Sequence, residues 1–481
     1  MNKTEFITAV AEKSGLSKAD AKKAVDAFVE TVSDEMKAGG KIALLGFGSF
    51  SVTEKAARKG VKTALIESKG YVGGIAAEGG CGLHSFYNLW KAFPGIEKRK
   101  VVRGLPEEMI NRLTALHGAS GHNETLMNYG YDSDTLCVDV EVYKYVAMQM
   151  LREEGVDIYV NTMVAEVLTE GSRVTGVVIV NHQGSQVLLA KMVIDSTGYG
   201  DVCARAGAGY TEPNDYAVAN SMGIGGIDID KYYQFLKKND ALKEYALGPR
   251  SGRDGQLIRV DGNWNKLEPS FGKRAAELGM HTVTTTLHDN YFMFIKLNYH
   301  MPASPTDVKE LSAAEFELRR RQFEALKLLK EVIPGSENAF IARTSPAVTI
   351  RRARCITCEY DISNEEVING VHFSDDVFSY GFHDEAPHFQ VKNGETYGFP
   401  YRAMLVKNME NLFAAGMMVT SDHHAHMSTR NTVSCMAQGQ AAGTAAALCV
   451  TLKTDNVRDL PYKELYTALK TDNVWFDQDR Q

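Results

Sequence analysis

At 481 residues with a formal net charge of −7, the chain is too long for one compact core and too acidic for its whole surface to serve nucleic acid. Two or three domains are therefore expected. No apolar run approaches the ~20 residues that span a bilayer, and the first residues hold no signal-peptide core, so the cytoplasm is the expected location and no membrane partner is expected.

Residues 3–38 repeat with a helical period: Phe6, Ile7, Val10 and Ala11 share one apolar face, and Ala24, Val25, Ala27, Phe28, Val29 and Val32 another. Two amphipathic helices are predicted. Gly15 breaks them, Ser17 can cap the second, and Gly39-Gly40 ends it. Lys41 to Leu45 and Ser49 to Val52 then read as short strands around Gly46-Phe47-Gly48, which completes a helix-helix-hairpin unit spanning residues 1–58.

From Val61 the texture changes. Lys62 to Glu67 reads as a buried strand ending in a carboxylate, and Tyr143 to Glu154 as a helix leading through Gly155 into a strand over 156–160. A meander follows over 165–168, 174–180 and 186–190, and Lys191 to Asp195 runs as a strand into the glycine turn Ser196 to Asp201. Residues 59–210 are read as the first part of a nucleotide-binding domain and 211–395 as an α+β cap, with a charged helix near 312–331. The second part of the nucleotide-binding domain is placed at 396–450 and a tail at 451–481.

Seven cysteines in a chain without a secretory signal suggest reduced thiols, and the lone Cys355-Ile356-Thr357-Cys358 reads as a strand rather than a metal or redox site. Arg351-Arg352-Ala353-Arg354 is either a charged strand edge or an anchor for an anion. His383, His388, Tyr397, Tyr401 and Arg402 form a polar and aromatic cluster without assignable roles.

A dinucleotide site needs a carboxylate for the ribose, close backbone approach at the pyrophosphate and a helix N-terminus aimed at the redox ring. Glu67 at its strand end suits the first, and Gly73 and Gly74 the second. The strand of Asn411 to Gly416, with the small-residue helix carrying Gly439 and Gly443, suits the third. Each has an ordinary reading as well: an exposed strand end, a plain turn, close helix packing.

Taken in order, Ala56 to Gly60, Leu65-Ile66-Glu67, Ile194 to Asp201, Asn411 to Gly416 and Gly439 to Gly443 resemble the FAD-dependent oxidoreductases related to fumarate reductase and succinate dehydrogenase flavoproteins, from about residue 56 to 450. The resemblance implies an α/β, Rossmann-like FAD-binding domain with Val164 by the adenine and Gly198, Asp201 and Gly416 lining the cofactor. It also implies hydride transfer between a small substrate and the flavin. In Ser421 to Asn431 it assigns His426 to substrate or flavin polarisation and Arg430 to an anionic substrate group. The glycines that follow the arginine in fumarate reductases are absent, so a dicarboxylate is not implied. Three histidines at 423, 424 and 426 could also bind a metal, but no carboxylate in the sequence is placed to complete such a set, and no metal is expected.

The first sixty residues resemble HU, the bacterial DNA-bending protein, above all in Gly46-Phe47-Gly48-Ser49-Phe50 and Ala56-Ala57-Arg58-Lys59-Gly60. Ten Lys/Arg against eight Asp/Glu there make a weak footprint, so weak non-specific DNA binding is the most this part implies. The likeness stops before HU's arm. It also sits where the flavoproteins carry their first strand and GxGxxG turn, which implies a chimeric chain lacking both and impaired in holding FAD. The alternative function is an HU-like DNA-binding or dimerisation module on a flavoprotein remnant.

A second reading keeps the cofactor site whole. Lys41 to Leu45 would be its first strand, Gly46-Phe47-Gly48 the opening of GxGxxG, and Glu67 follows at the usual ~20 residues. Ser51 at the third glycine, and Phe50, Val52 and Thr53 as poor helix openers, stand against it.

Overall fold

The structure is a computed structural model describing residues 11, 17–23, 41–45, 49–79, 83, 85–89, 96–127, 134–386 and 388–477. The first expected helix, apart from Ala11, lies outside them, as do residues 24–38 of the second and Gly46-Phe47-Gly48. Residues 18–23 are helical, and Ser17 caps them through an Oγ that accepts from the Asp20 N–H at 3.1 Å.

The main sheet and its helices begin with β1 (Lys41–Leu45), α1 (Ser49–Arg58), β2 (Thr63–Ile66), α2 (Gly74–Gly79), α3 (Leu105–Ala115) and α4 (Val140–Glu153). They continue with β3 (Asp157–Tyr159), β4 (Met163–Glu170), β5 (Arg173–Asn181) and β6 (Gly184–Asp195). One sheet runs β3-β2-β1-β6-β5-β4. Within it β1 lies parallel to both neighbours, Leu44 standing opposite Leu65 on one side and Ile194 on the other.

This overturns the expectation of a missing first strand. The stretch read as the first half of an HU-type hairpin is an inner strand of this sheet. Ile42-Ala43-Leu44-Leu45 is the continuous apolar run that a parallel strand covered on both faces requires. The expected second hairpin strand, Ser49 to Val52, is instead the first turn of α1. Poor opening residues are outweighed by the packing of the rest of that helix: Thr53, Glu54 and Ala56 are fully buried, and α1 lies against α3, α4 and the long C-terminal helix described below. Ala56 to Gly60 ends the helix, with Gly60 at φ +79° and its N–H donated to the Ala57 carbonyl.

Ionic contacts fasten α1 to its surroundings. Arg58 donates to both oxygens of Glu108 on α3, at 2.7 and 2.9 Å, and also meets Glu54 and Glu154. Lys55 and Lys59 each lie 3.0 Å from Asp472.

The meander expected over 165–190 is present, with one difference. The segments 186–190 and 191–195 are a single strand, β6, whose first half pairs antiparallel with β5 and whose last residues pair parallel with β1. A strand that changes partners in this way needs no turn at 190–191. Asp139 caps α4 by accepting from the N–H groups of Glu141 and Val142.

The cap is built on β7 (Val218–Gly225), β8 (Tyr291–Tyr299), α5 (Val308–Val332) and β9 (Phe340–Thr344), with β7 between β8 and β9. Its apolar core, including Met222, Tyr232, Phe292, Leu318 and Leu328, is separate from that of the nucleotide-binding sheet. The chain then returns through β10 (Leu412–Ala414), parallel to the end of β6, and α6 (His423–Thr429) to α7 (Thr432–Leu452) and α8 (Tyr462–Thr471). Among the described residues no helix is long and apolar enough to cross a membrane.

Candidate active site

Parallel strands gather their carboxyl ends along one edge, where a ligand can approach backbone N–H groups. Here β2 ends at Ile66 and β6 at Asp195. Asp195 is fully buried and builds the turn after it. Its Oδ1 accepts from the N–H and hydroxyl of Thr197 at 2.9 and 2.8 Å, and its Oδ2 from the Cys203 N–H at 2.8 Å. Gly198 and Gly200 take φ of +72° and +68° within that turn.

Beside these strand ends lies a cavity of about 240 Å³ walled by Ser68, Lys69, Val164, Thr197, Asp201 and Ile350. Two residues assigned to the cofactor from the sequence, Val164 and Asp201, line it. Gly198 lies between two lining residues, Thr197 and Tyr199. Glu67 is 97% covered and sits behind the wall, its Oε1 accepting from the Lys69 N–H at 2.9 Å and the Ser68 hydroxyl at 3.3 Å. Burial pushes its carboxyl up from the usual range, against those hydrogen bonds. The Asp201 carboxylate is shared with Arg354, 2.8 Å away.

Ile350 also borders a second cavity of about 220 Å³, whose walls include Ile75, Lys296, Arg351, Asp384, Met417 and Arg430. Arg430 stands between two helices, closing α6 as its C-cap just before Asn431 caps α7. Its guanidinium is 2.8 Å from Asp384 and lies over the ring of Tyr216 at 5.7 Å. Lys296 on β8 and Arg351 bring further positive charge to the same walls.

His426 is fully buried on α6 and does not line this cavity. Its Nε2 lies 2.7 Å from the Met417 carbonyl, an acceptor only, so Nε2 carries the proton. Gly416, at φ +115°, has open space where a Cβ would stand. Its N–H is held by Gln438 Oε1 at 2.8 Å, while Gln438 Nε2 donates to the Thr429 carbonyl at 2.8 Å. Gln438 thus clasps the turn after β10 to the end of α6.

The remaining assigned glycines do not meet at either cavity. Gly73, at φ +118°, leaves room for the ring of Tyr143, 2.7 Å from where its Cβ would stand, and Gly74 opens α2. Gly439 and Gly443 lie in the buried body of α7, the helix that packs on α1.

Sequence reasoning passed over Lys296, Asp384 and Gln438, and left Arg351 undecided. Only Gln438 carried a signal, as a buried amide between small residues. Lys296 and Asp384 reach the site through β8 and a loop far off in the chain. Arg352 and Arg354 turn away from the cavity, to Asp215 and to Asp201 with Glu212. Of the polar cluster, His383 contacts Asn364, Tyr397 contacts Ser428, Tyr401 donates to the Val457 carbonyl and Arg402 pairs with Asp375. Cys355 and Ile356 form a short strand against Tyr210 and Thr211, and burial pushes the Cys355 thiol up to about 11.

The carboxylate missing from the histidine motif is supplied by the fold. Glu385 lies 2.7 Å from His424 Nδ1, and Asp215 2.7 Å from His423 Nδ1. A further cavity of about 650 Å³ lies among residues 243–321, where its basic residues Lys243 and Arg321 are paired with Asp261 and Glu317.

Residues 46–469 match the family of FAD dependent oxidoreductases, and residues 1–64 match the bacterial DNA-binding proteins, so residues 46–64 belong to both matches. The DNA-binding protein HU of Geobacillus stearothermophilus is 60% identical over 60 residues, 12% of this chain and 67% of HU. The DNA-binding protein HRL18 of Rhizobium leguminosarum is 63% identical over 60 residues, 12% of this chain and 66% of that protein. Among solved structures, a geranylgeranyl bacteriochlorophyll reductase-like protein from Thermoplasma acidophilum superposes with a TM-score of 0.45 at 12% identity, covering 92% of this chain and 89% of that one. A p-nitrophenol 4-monooxygenase from Pseudomonas putida DLL-E4 does so with a TM-score of 0.44 at 12% identity, covering 92% and 91%.

Proposed function

The chain belongs to the FAD-dependent oxidoreductase family, with its first 64 residues belonging to the bacterial DNA-binding proteins, and from that premise we propose that it oxidises or reduces a small substrate bearing an anionic group. FAD is its cofactor, and when bound it supplies the acceptor or donor of the hydride. The residues present fit it. A walled groove lies at the strand ends, a buried carboxylate at Glu67 stands behind that groove, and open space adjoins Gly416.

In this reading Val164 and Asp201 border the adenosine half, Glu67 orders the 67–69 turn near the ribose, and Gly198 and Gly416 allow close backbone approach. Gly46-Phe47-Gly48, between β1 and α1, supplies the pyrophosphate loop on the evidence of its sequence. Impaired FAD binding was expected from the loss of both the first strand and the GxGxxG turn; β1 supplies the strand, while the turn falls at residues 46–48, outside the described residues. The divisions at 211–395 and 396–450 remain part of the proposal, whereas the first part of the FAD-binding domain begins at β1 and not at residue 59.

The observation that carries the substrate reading is the gathering of Arg430, Arg351 and Lys296 around one cavity. Cations on a confined wall favour a carboxylate or similar anion. Arg430 grips it, and Asp384 and the Tyr216 ring hold Arg430 in place. His426 acts as a positioning residue, fixing the Met417 carbonyl and hence the turn at Gly416. The test is to purify the unmodified chain, identify the flavin released on denaturation, and follow its reduction by carboxylic acids against their amides. A colourless protein, or equal rates with acid and amide, would overturn the reading.

A second reading, weak cytoplasmic DNA binding through residues 1–58, is favoured by the 60% identity to HU. Retardation of DNA by a colourless protein would support it in place of the first.

A further inference from the structure

Two imidazoles and a carboxylate converge on the outer side of α6. Among the described residues Glu385, His423 and His424 each offer a ligand atom within 4.8 Å of the others. All three are partly exposed, so an ion can reach them from solvent.

The arrangement is held from behind. Asp215 takes Nδ1 of His423 at 2.7 Å and is itself paired with Arg352, which is 97% covered. The His423 ring is stacked on Tyr216 at 4.4 Å and 4°. A carboxylate on one ring nitrogen fixes the tautomer and leaves Nε2 as the metal ligand, the usual outer-shell device of histidine sites. Asp422, the N-cap of α6, accepts from the N–H groups of His424 and Ala425 and so sets the backbone that carries both imidazoles.

We infer that Glu385, His423 and His424 bind one zinc-class divalent cation that pins the 383–386 segment to α6. Two nitrogens and one carboxylate oxygen suit Zn²⁺, with water as the fourth ligand, whereas Ca²⁺ and Mg²⁺ want oxygen alone. On binding, the ion takes the place of the proton between His424 Nδ1 and Glu385 Oε2, and the neutral ring keeps its one proton on Nε2, exchanged through solvent. Their separation grows from 2.7 Å to roughly 3.3 Å, as ligands at about 2.0–2.1 Å on tetrahedral corners require.

The site adjoins the substrate cavity without forming its wall. Glu385 follows Asp384, the partner of Arg430, so the bound ion limits the movement of that ion pair. The inference does not rest on the flavin reading.

The test is calorimetric titration of the chelator-stripped full chain with ZnCl₂, with metal content measured after gel filtration. One Zn²⁺ per chain is expected. His424→Ala and Glu385→Gln should each weaken binding at least tenfold, while His182→Ala, in an exposed turn, leaves it unchanged. Zinc should also raise the melting temperature of the parent chain and not of Glu385→Gln. No saturable binding by the parent chain overturns the proposal, whatever the variants do, and so does binding that survives both substitutions.

Discussion

Leu44 stands in parallel register between Leu65 on β2 and Ile194 on β6, so a residue of the HU-like segment occupies an inner position of the flavoprotein sheet. A parallel strand bonded on both sides cannot leave without exposing two apolar edges. Deleting residues 1–40 should therefore leave a folded, flavin-holding chain, whereas deleting 1–48 should give an aggregating, colourless one. Visible absorbance and gel filtration of the two truncations decide this. Equal behaviour would show that β1 is dispensable.

Arg58 joins α1 to α3 and α4 through Glu108 and Glu154. Arg58→Ala leaves those carboxylates without their shared cation, and unfolding free energy should fall by about 2–4 kcal/mol. Denaturant melts measure it. A loss below about 0.5 kcal/mol, the level of an ordinary surface substitution, would show the network to be structurally idle.

Glu54 carries the chemical cost of building α1 from an HU-like segment. Burial pushes its carboxyl from the usual 4.5 to about 8; Arg58 opposes the rise, but Arg58 is engaged by Glu108, whose own value it lowers. The folded state thus keeps a proton that the unfolded state releases above about pH 4.5. Its contribution to stability is complete below that pH and is lost as the pH rises through about 8. Relative to Glu54→Gln, the parent chain should lose on the order of 2–3 kcal/mol between pH 6 and 8.5. Parallel slopes for the two proteins would contradict this.

Arg430→Ala should lower turnover or substrate affinity roughly ten- to a hundredfold, the value of a charge-assisted contact of about 1.5–3 kcal/mol. Flavin content should not change. Glu67→Ala should act in the opposite sense, weakening flavin retention. Steady-state kinetics beside flavin-to-protein ratios separate the two effects, and unchanged kinetics in Arg430→Ala would remove it from the substrate site.

DNA binding by the full chain should be weak, with a dissociation constant no tighter than about 1 µM at physiological salt, the range of non-specific contacts. HU-type wrapping needs arms that enter the minor groove, and here residues 41–45 and 49–58 are committed to the flavoprotein sheet and its helix. Fluorescence anisotropy against salt tests this. Nanomolar binding would mean that the segment keeps its HU conformation.

The sequence by itself determined the α/β class and the meander of β4 to β6, because apolar periodicity and turn residues report local structure directly, while its motifs carried the two family likenesses and, through them, the cation expected at Arg430. Long-range packing was not legible. Lys41 to Arg58 favours a hairpin by its own composition, yet Ile42 to Leu45 also meets the demands of a parallel inner strand, and Ala56-Ala57-Arg58 those of a helix end. Only the open position between β2 and β6, with Glu108, Glu154 and Asp472 around it, selects strand and helix over hairpin. The approach of Glu385 to His424, and of Asp384 to Arg430, was likewise decided by tertiary structure alone. A side chain some forty residues away in sequence has no periodic signal, and only folding brings its charge within hydrogen-bond distance.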